Sequence, residues 1–194
     1  MNNLKIAVAI AVLGSASMAV SANAADWSGP YIGGYYSADS GEDYYPDNFD
    51  TQYYALVGDS YGIFAGYNMD QGNYVFGLEV ATAIGIDLIE ETDPDWIFGS
   101  MTDLKFRVGY KSGNALPYVL VGGSMAEFGD IPDGDVDTLT GLVAGAGVDY
   151  MFSGGFFVGA EYLYRDMYKD NFAGEGYEVF SQVSSFQVRA GMKF

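Results

Sequence analysis

Four carboxylates, Glu79, Asp103, Asp149 and Glu161, each stand at an alternate position of an otherwise apolar or glycine-rich run. Paired carboxylates are the groups with which glycoside hydrolysis is performed. The same parity carries five bases, Lys105, Arg107, Arg165, Arg189 and Lys193. Histidine and cysteine are absent, which excludes Ser-His-Asp, Asp-His and thiolate chemistry. A charge removed from water needs a partner, so nine charges of mixed sign on one face are expected to neutralise one another in a structural ion network. No catalytic residue is assigned. A second cluster, "DIPDGDVD", places Asp130, Asp133, Asp135 and Asp137 around a glycine. Such hard oxygen ligands suit Ca²⁺, but the spacing and closing Glu of the helix-loop-helix calcium pattern are missing. A solvated acidic loop, with divalent cations loosely held and no cofactor, is the expectation there.

The elements that position these charges are strands, because the alternation has period two. In "DLKFRVGY", Leu104, Phe106, Val108 and Tyr110 alternate with Asp103, Lys105, Arg107 and Gly109. Similar segments begin near Tyr61, Tyr74, Gly141 and Phe156, and one ends at Phe194. With "WSGPYIGGYYSA" and "PYVLVGGSM", whose facing is ambiguous, the count is eight strands. Connections alternate between tight turns at 70–73, 111–116 and 153–155 and long loops at roughly 39–60, 85–99, 127–138 and 166–179. Short turns at one end and long loops at the other describe an up-and-down transmembrane barrel.

Charge placement orients such a barrel. The four long loops hold 20 of the 26 acids and one base, Lys169. A Lys or Arg facing lipid at the bilayer midplane costs ~2–4 kcal/mol. Five would cost roughly 10–20 kcal/mol, more than a typical folding stability. The charged parity must face the lumen and the greasy parity lipid. A soluble barrel would instead expose Phe76, Leu78, Leu104, Phe106 and Phe186 as one large apolar patch. Tyrosines and phenylalanines near both strand ends fit two interfacial girdles; Tyr35, Phe98 and Tyr118 are read as girdle residues.

The chain opens with Lys5, an apolar run from Ile6 to Leu13, and Ala22-Asn23-Ala24, the pattern of a secretory signal removed after Ala24. Residues 1–24 are thus expected as a cleaved leader and 25–194 as the barrel domain. The net charge of −18 excludes a nucleic-acid partner.

"WSGPYIGGYY", "GAGVDYMF" followed by "FFVGAEYLYRD", and the closing "FQVRAGMKF" resemble the small OmpA-like, Omp25-type outer-membrane barrels (porin-family) of alphaproteobacteria. The resemblance covers the chain after the leader and implies an all-β, eight-stranded antiparallel up-and-down barrel with short periplasmic turns and four long acidic external loops. It implies residence in the bacterial outer membrane among lipid and lipopolysaccharide. It also implies that Phe194, with Met192 and Ala190, forms the signal read by the barrel-assembly machinery. A structural and surface-interaction role in the cell envelope, with possible adhesion and an unknown surface ligand, is the expected function. A narrow cation-preferring channel is the alternative.

Overall fold

The computed structural model describes residues 25–46, 51–91, 96–130, 135–172 and 178–194. The expected leader and Asp133 lie outside them. Eight strands follow one another: β1 (Gly29–Pro46), β2 (Thr51–Gln71), β3 (Tyr74–Glu90), β4 (Trp96–Tyr110), β5 (Ala115–Asp130), β6 (Asp135–Met151), β7 (Phe156–Lys169) and β8 (Val179–Lys193). Each pairs antiparallel with its neighbours, and β8 returns to β1 to close the barrel. Closure leaves no strand edge, which a lipid environment demands because it cannot satisfy free backbone groups.

The tight turns follow local chemistry. Gly72 has φ +69° as the first of two residues between β2 and β3, a position where the hairpin twist calls for a left-handed conformation. Gly154 and Gly155, both with positive φ, turn β6 into β7.

The strands run 14 to 21 residues. A tilted strand crosses the hydrocarbon in roughly 9–11. Since the other end is closed by tight turns, the surplus projects at the end where long loops were expected. This corrects the loop boundaries. Asp39, Glu42 and Asp43 lie on β1, Asp59 on β2, Asp87 and Glu90 on β3, Glu127 and Asp130 on β5, Asp135 and Asp137 on β6, and Asp166 on β7. Beyond the lipid band no greasy outer parity is needed, so the alternation fades and these extensions read as loops.

The two undecided facings are resolved. On β1, Tyr31, Ser37, Asp39 and Asp43 point inward; on β5, Leu116, Tyr118, Leu120, Ser124 and Phe128 do. Ile32, Tyr36, Val119, Val121 and Met125 face outward. The outer band of Leu78, Val80, Leu104, Phe106, Leu142, Phe186 and Met192 is exposed, as a lipid-facing surface must be. Tyr118 and Phe98 are buried rather than girdle residues, and Tyr35 is half-buried beside the lower core.

Candidate functional site: a layered lumen

Three layers fill the barrel. At the short-turn end, residues 25–28 fold beneath it, with the Ala25 N–H donating to Gly113 O at 3.2 Å. This tucks Trp27 inside, its ring 6.3 Å from Phe157. Tyr31, Phe64, Val75, Leu116 and Met151 complete an apolar floor.

Above the floor lies the ion network, and eight of the nine expected members are in the lumen with 3% exposure or less. Its main cluster balances three bases against three acids. Lys105 Nζ is 2.7 Å from both Glu79 and Glu161. Arg107 reaches Asp149 at 3.0 Å and Glu79 at 3.7 Å. Arg189 contacts Glu79, Glu161 at 3.0 Å, and Asp149 at 3.4 Å, the last without hydrogen-bond geometry. Three aromatic rings complete the guanidinium shells: Arg107 stands 4.6 Å from the Tyr31 centroid and 5.0 Å from Tyr118, and Arg189 4.0 Å from Phe64.

Arg165 heads a separate cluster. It holds Asp103 through both carboxylate oxygens, Nε at 3.0 Å and Nη2 at 2.7 Å, the bidentate geometry that makes such pairs strong. Its Nη1 donates to Ser185 Oγ at 2.6 Å, and Ser185 donates onward to Asp39. Ser37 and Ser60 also donate to Asp39, at 2.7 and 2.6 Å.

The ninth expected member is corrected. Lys193 sits at the short-turn mouth, where its Nζ is 3.0 Å from the exposed Asp26 carboxylate. As the last residue of β8, its side chain clears the floor and reaches water.

Sequence reasoning missed Asp39, Asn68, Tyr31 and Tyr118. Asn68 Oδ1 accepts from Arg107 at 3.1 and 3.3 Å. Tyr31 and Tyr118 hydroxyls donate to Glu79 at 3.0 Å and Glu161 at 2.9 Å. The parity of Ser37-x-Asp39 could have exposed Asp39. The lumen glycines mark where these side chains lie: a Cβ on Gly77 would come within 2.8 Å of Arg107, and one on Gly159 would collide with Asp149. These glycines therefore make room for the network.

The third layer is an apolar ceiling in the extended part of the barrel. Phe98, Phe128 and Phe172 pack at 4.9 and 6.2 Å among Leu56, Leu88, Leu139, Met167, Val179 and Val183. Asn171, at φ 51°, turns the chain so that Phe172 enters the mouth.

Of the calcium candidates, Asp137 is described in full. It accepts from the Thr138 N–H at 2.7 Å and pairs with Lys169 at 2.9 Å. Asp130 and Asp135 are opposed in register at the tip of the β5–β6 hairpin. Among the described residues no three acids gather into a metal-binding group.

A closed antiparallel barrel with an apolar belt outside and paired charge inside defines an integral membrane β-barrel of the small, filled type. More particularly, the chain belongs to the outer membrane protein beta-barrel domain family, whose model matches residues 8–194, and it resides in the bacterial outer membrane. It is 28% identical over 151 residues to the 22 kDa outer membrane protein of Rhizobium leguminosarum bv. viciae, covering 74% of this chain and 65% of that one. It is 25% identical over 135 residues to the 25 kDa outer-membrane immunogenic protein of Brucella canis, covering 69% and 63%. The chain thus spans slightly less than two thirds of these relatives. The solved Neisserial surface protein A is 18% identical, with 83% of this chain and 97% of that chain covered and a TM-score of 0.48.

Proposed function

We propose that this barrel is a sealed structural and surface-interaction protein of the cell envelope rather than a channel or an enzyme. The observation that carries the reading is the filled lumen: an aromatic floor, a paired ion layer and an apolar ceiling stacked across its length. A conducting pore needs a wet path, whereas Glu79, Lys105, Arg107, Asp149, Glu161 and Arg189 are each at most 2% exposed. The same burial argues against the four carboxylates acting on a substrate, since each is engaged by a lumen base.

With the lumen filled, interaction falls to the outer surface. Glu42, Asp87, Glu127 and Asp166 are exposed on the extensions, above the lipid-facing belt. Divalent cations loosely held there would bridge them to lipopolysaccharide phosphates, which would otherwise repel the acids. No resident cofactor and no nucleic acid belong to this reading.

Single-channel recording of the refolded barrel in a planar bilayer tests it. A silent barrel is the expected result, with or without millimolar calcium. A steady, cation-selective conductance would overturn the reading and restore the channel.

The assembly signal that the family resemblance implies belongs to the same proposal, and its residues are accessible. Ala190, Met192 and Phe194 share the outward face of the closing strand; Phe194 is 70% exposed while its backbone N–H donates to Pro30 O at 2.9 Å. Deleting Phe194 is expected to reduce the heat-modifiable barrel recovered from outer membranes, and wild-type recovery would refute the assignment.

A further inference from the structure

Beyond the lipid band, β7, β8, β1 and β2 form one continuous sector of sheet whose outer face is organised in rungs. Tyr168 opposes Phe180, Phe180 opposes Tyr44, and Tyr44 opposes Tyr53. Their rings form a ladder, with centroids 4.7, 4.6 and 5.8 Å apart and the central pair within 7° of parallel. The next rung is Asp166, Gln182 and Glu42, again directly opposed. The one nearest the membrane is Tyr164, Ser184 and Ser40. Tyr53, Tyr164, Tyr168, Glu42 and Asp166 are exposed. Glu42 and Asp166 place the middle rung in water, so the ring ladder above it is not covered by hydrocarbon.

Ordinary β-propensity explains a tyrosine on a strand. It does not account for four rings directly opposed on four successive strands with carboxylates on the adjoining rung. The charge is also one-sided. Glu178 lies 3.4 Å from the Tyr168 hydroxyl, and among the described residues Lys169, the base beside the ladder that does not point into the lumen, is engaged by Asp137. Ring faces and carboxylates both attract cations. The inner rings, Phe180 and Tyr44, stack on their neighbours, so the ring faces left open by the ladder are the outer ones of Tyr168 and Tyr53, both exposed. A planar guanidinium uses both attractions at once, lying flat on such an end face while its fork engages a carboxylate, whereas an ammonium can do only part of this. The sheet fixes the rungs in advance, so little ordering opposes binding.

We propose that this ladder is a docking surface for an arginine-bearing peptide segment of a partner protein. The inference rests on the surface-interaction reading above and names its location and partner chemistry.

The test uses the refolded barrel in zwitterionic lipid nanodiscs, titrated with fluorescent hexa-arginine and hexa-lysine. Hexa-arginine is expected to bind about fivefold tighter than hexa-lysine, the margin a ring-stacked guanidinium confers. Tyr53→Leu with Tyr168→Leu should abolish that preference. Glu42→Gln with Asp166→Asn should weaken both peptides about tenfold. Asp87→Asn with Glu127→Gln, outward acids on β3 and β5, should change affinity less than about twofold. Equal binding of the two peptides, or an equal loss in the β3 and β5 control, would overturn the proposal in favour of diffuse attraction to an acidic surface. Preferential binding of an uncharged oligosaccharide, lost with the rings, would overturn it in favour of a saccharide site. A silent barrel that fails these titrations leaves the sealed-barrel reading standing, so the two fail separately.

Discussion

Arg189→Leu is expected to destabilise the refolded barrel by about 3–5 kcal/mol, the cost of leaving buried carboxylates without their partner. Arg189 is the hub of the network because, among the described residues, it alone touches all three of Glu79, Asp149 and Glu161. Its loss leaves Lys105 and Arg107 facing three acids. Leucine fills part of the volume over Phe64, so the cavity is secondary to the charge imbalance. Two comparisons isolate the electrostatic origin. Lys193→Leu removes an ion pair whose acid is 74% exposed, and such pairs contribute ~0–1 kcal/mol. Arg189→Leu combined with Glu161→Leu restores the charge balance and should recover at least half of the single-variant loss, by the logic of a double-mutant cycle. Urea midpoints of the four proteins decide it. If Arg189→Leu and Lys193→Leu shift the midpoint equally, the lumen charges do not hold the barrel together.

Why was this network readable from alternation while its neighbours were not? A strand shows its facing when lipid and lumen ask for opposite chemistry. Leu104-x-Phe106-x-Val108 against Asp103-x-Lys105-x-Arg107 meets that condition, and both parities fall where expected. On β5 the lumen wall is itself aliphatic: Leu120 packs with Val143 and Leu163, so Val119 and Leu120 look alike on paper. On β1 both parities carry polar and aromatic residues, which hid Asp39 and Tyr31.

Two irregularities add to this. The register shifts between Phe98 and Ser100, so Phe98 turns inward although its spacing from Leu104 predicts the outer face. A second shift, between Tyr61 and Gly62, changes the parity along β3, which is how Glu90 comes to be buried despite an even spacing from the exposed Val80. A bulge has no reliable one-residue signature, and hydropathy alternation cannot cross it. The third failure was length. Hydrocarbon imposes the pattern only over its own thickness, so the external halves of the strands looked like acidic loops. The docking ladder became visible only once register brought Tyr53, Tyr44, Phe180 and Tyr168 side by side.

Asp43→Asn is expected to remove a pH dependence from the external part of the barrel. Counting roughly ten residues of crossing from Pro30 on β1 puts Asp43 beyond the lipid. It points inward, fully buried, and neither carboxylate oxygen has a hydrogen-bond partner among the described residues. Ser181 on β8 and Tyr54 on β2 oppose it in register, and Glu90 on β3 is the neighbouring carboxylate. Burial pushes the Asp43 carboxyl up to about 8 against a weaker downward pull from Ser181, and Glu90 adds the smallest contribution, to the rise. An unfolded aspartate ionises near ~3.9. Below that pH both states are protonated, and the closed extension suffers no penalty. As pH rises toward 8 the opened state ionises while the closed state holds its proton, so stability falls by ~1.4 kcal/mol per pH unit. Above about 8 both are ionised and the loss stops growing, on the order of 5 kcal/mol in all. The measurement is hydrogen exchange at the Tyr44 and Tyr45 amides, corrected for intrinsic rates, from pH 5 to 9. Wild type should lose protection steadily up to about pH 8 and then level off. Asp43→Asn should give a flat profile, and Glu90→Gln should shift the wild-type window to lower pH. A flat wild-type profile would mean that the lone carboxyl finds water or a partner and that the apolar ceiling does not isolate it, and a slope that survives in Asp43→Asn would assign the pH dependence to another group.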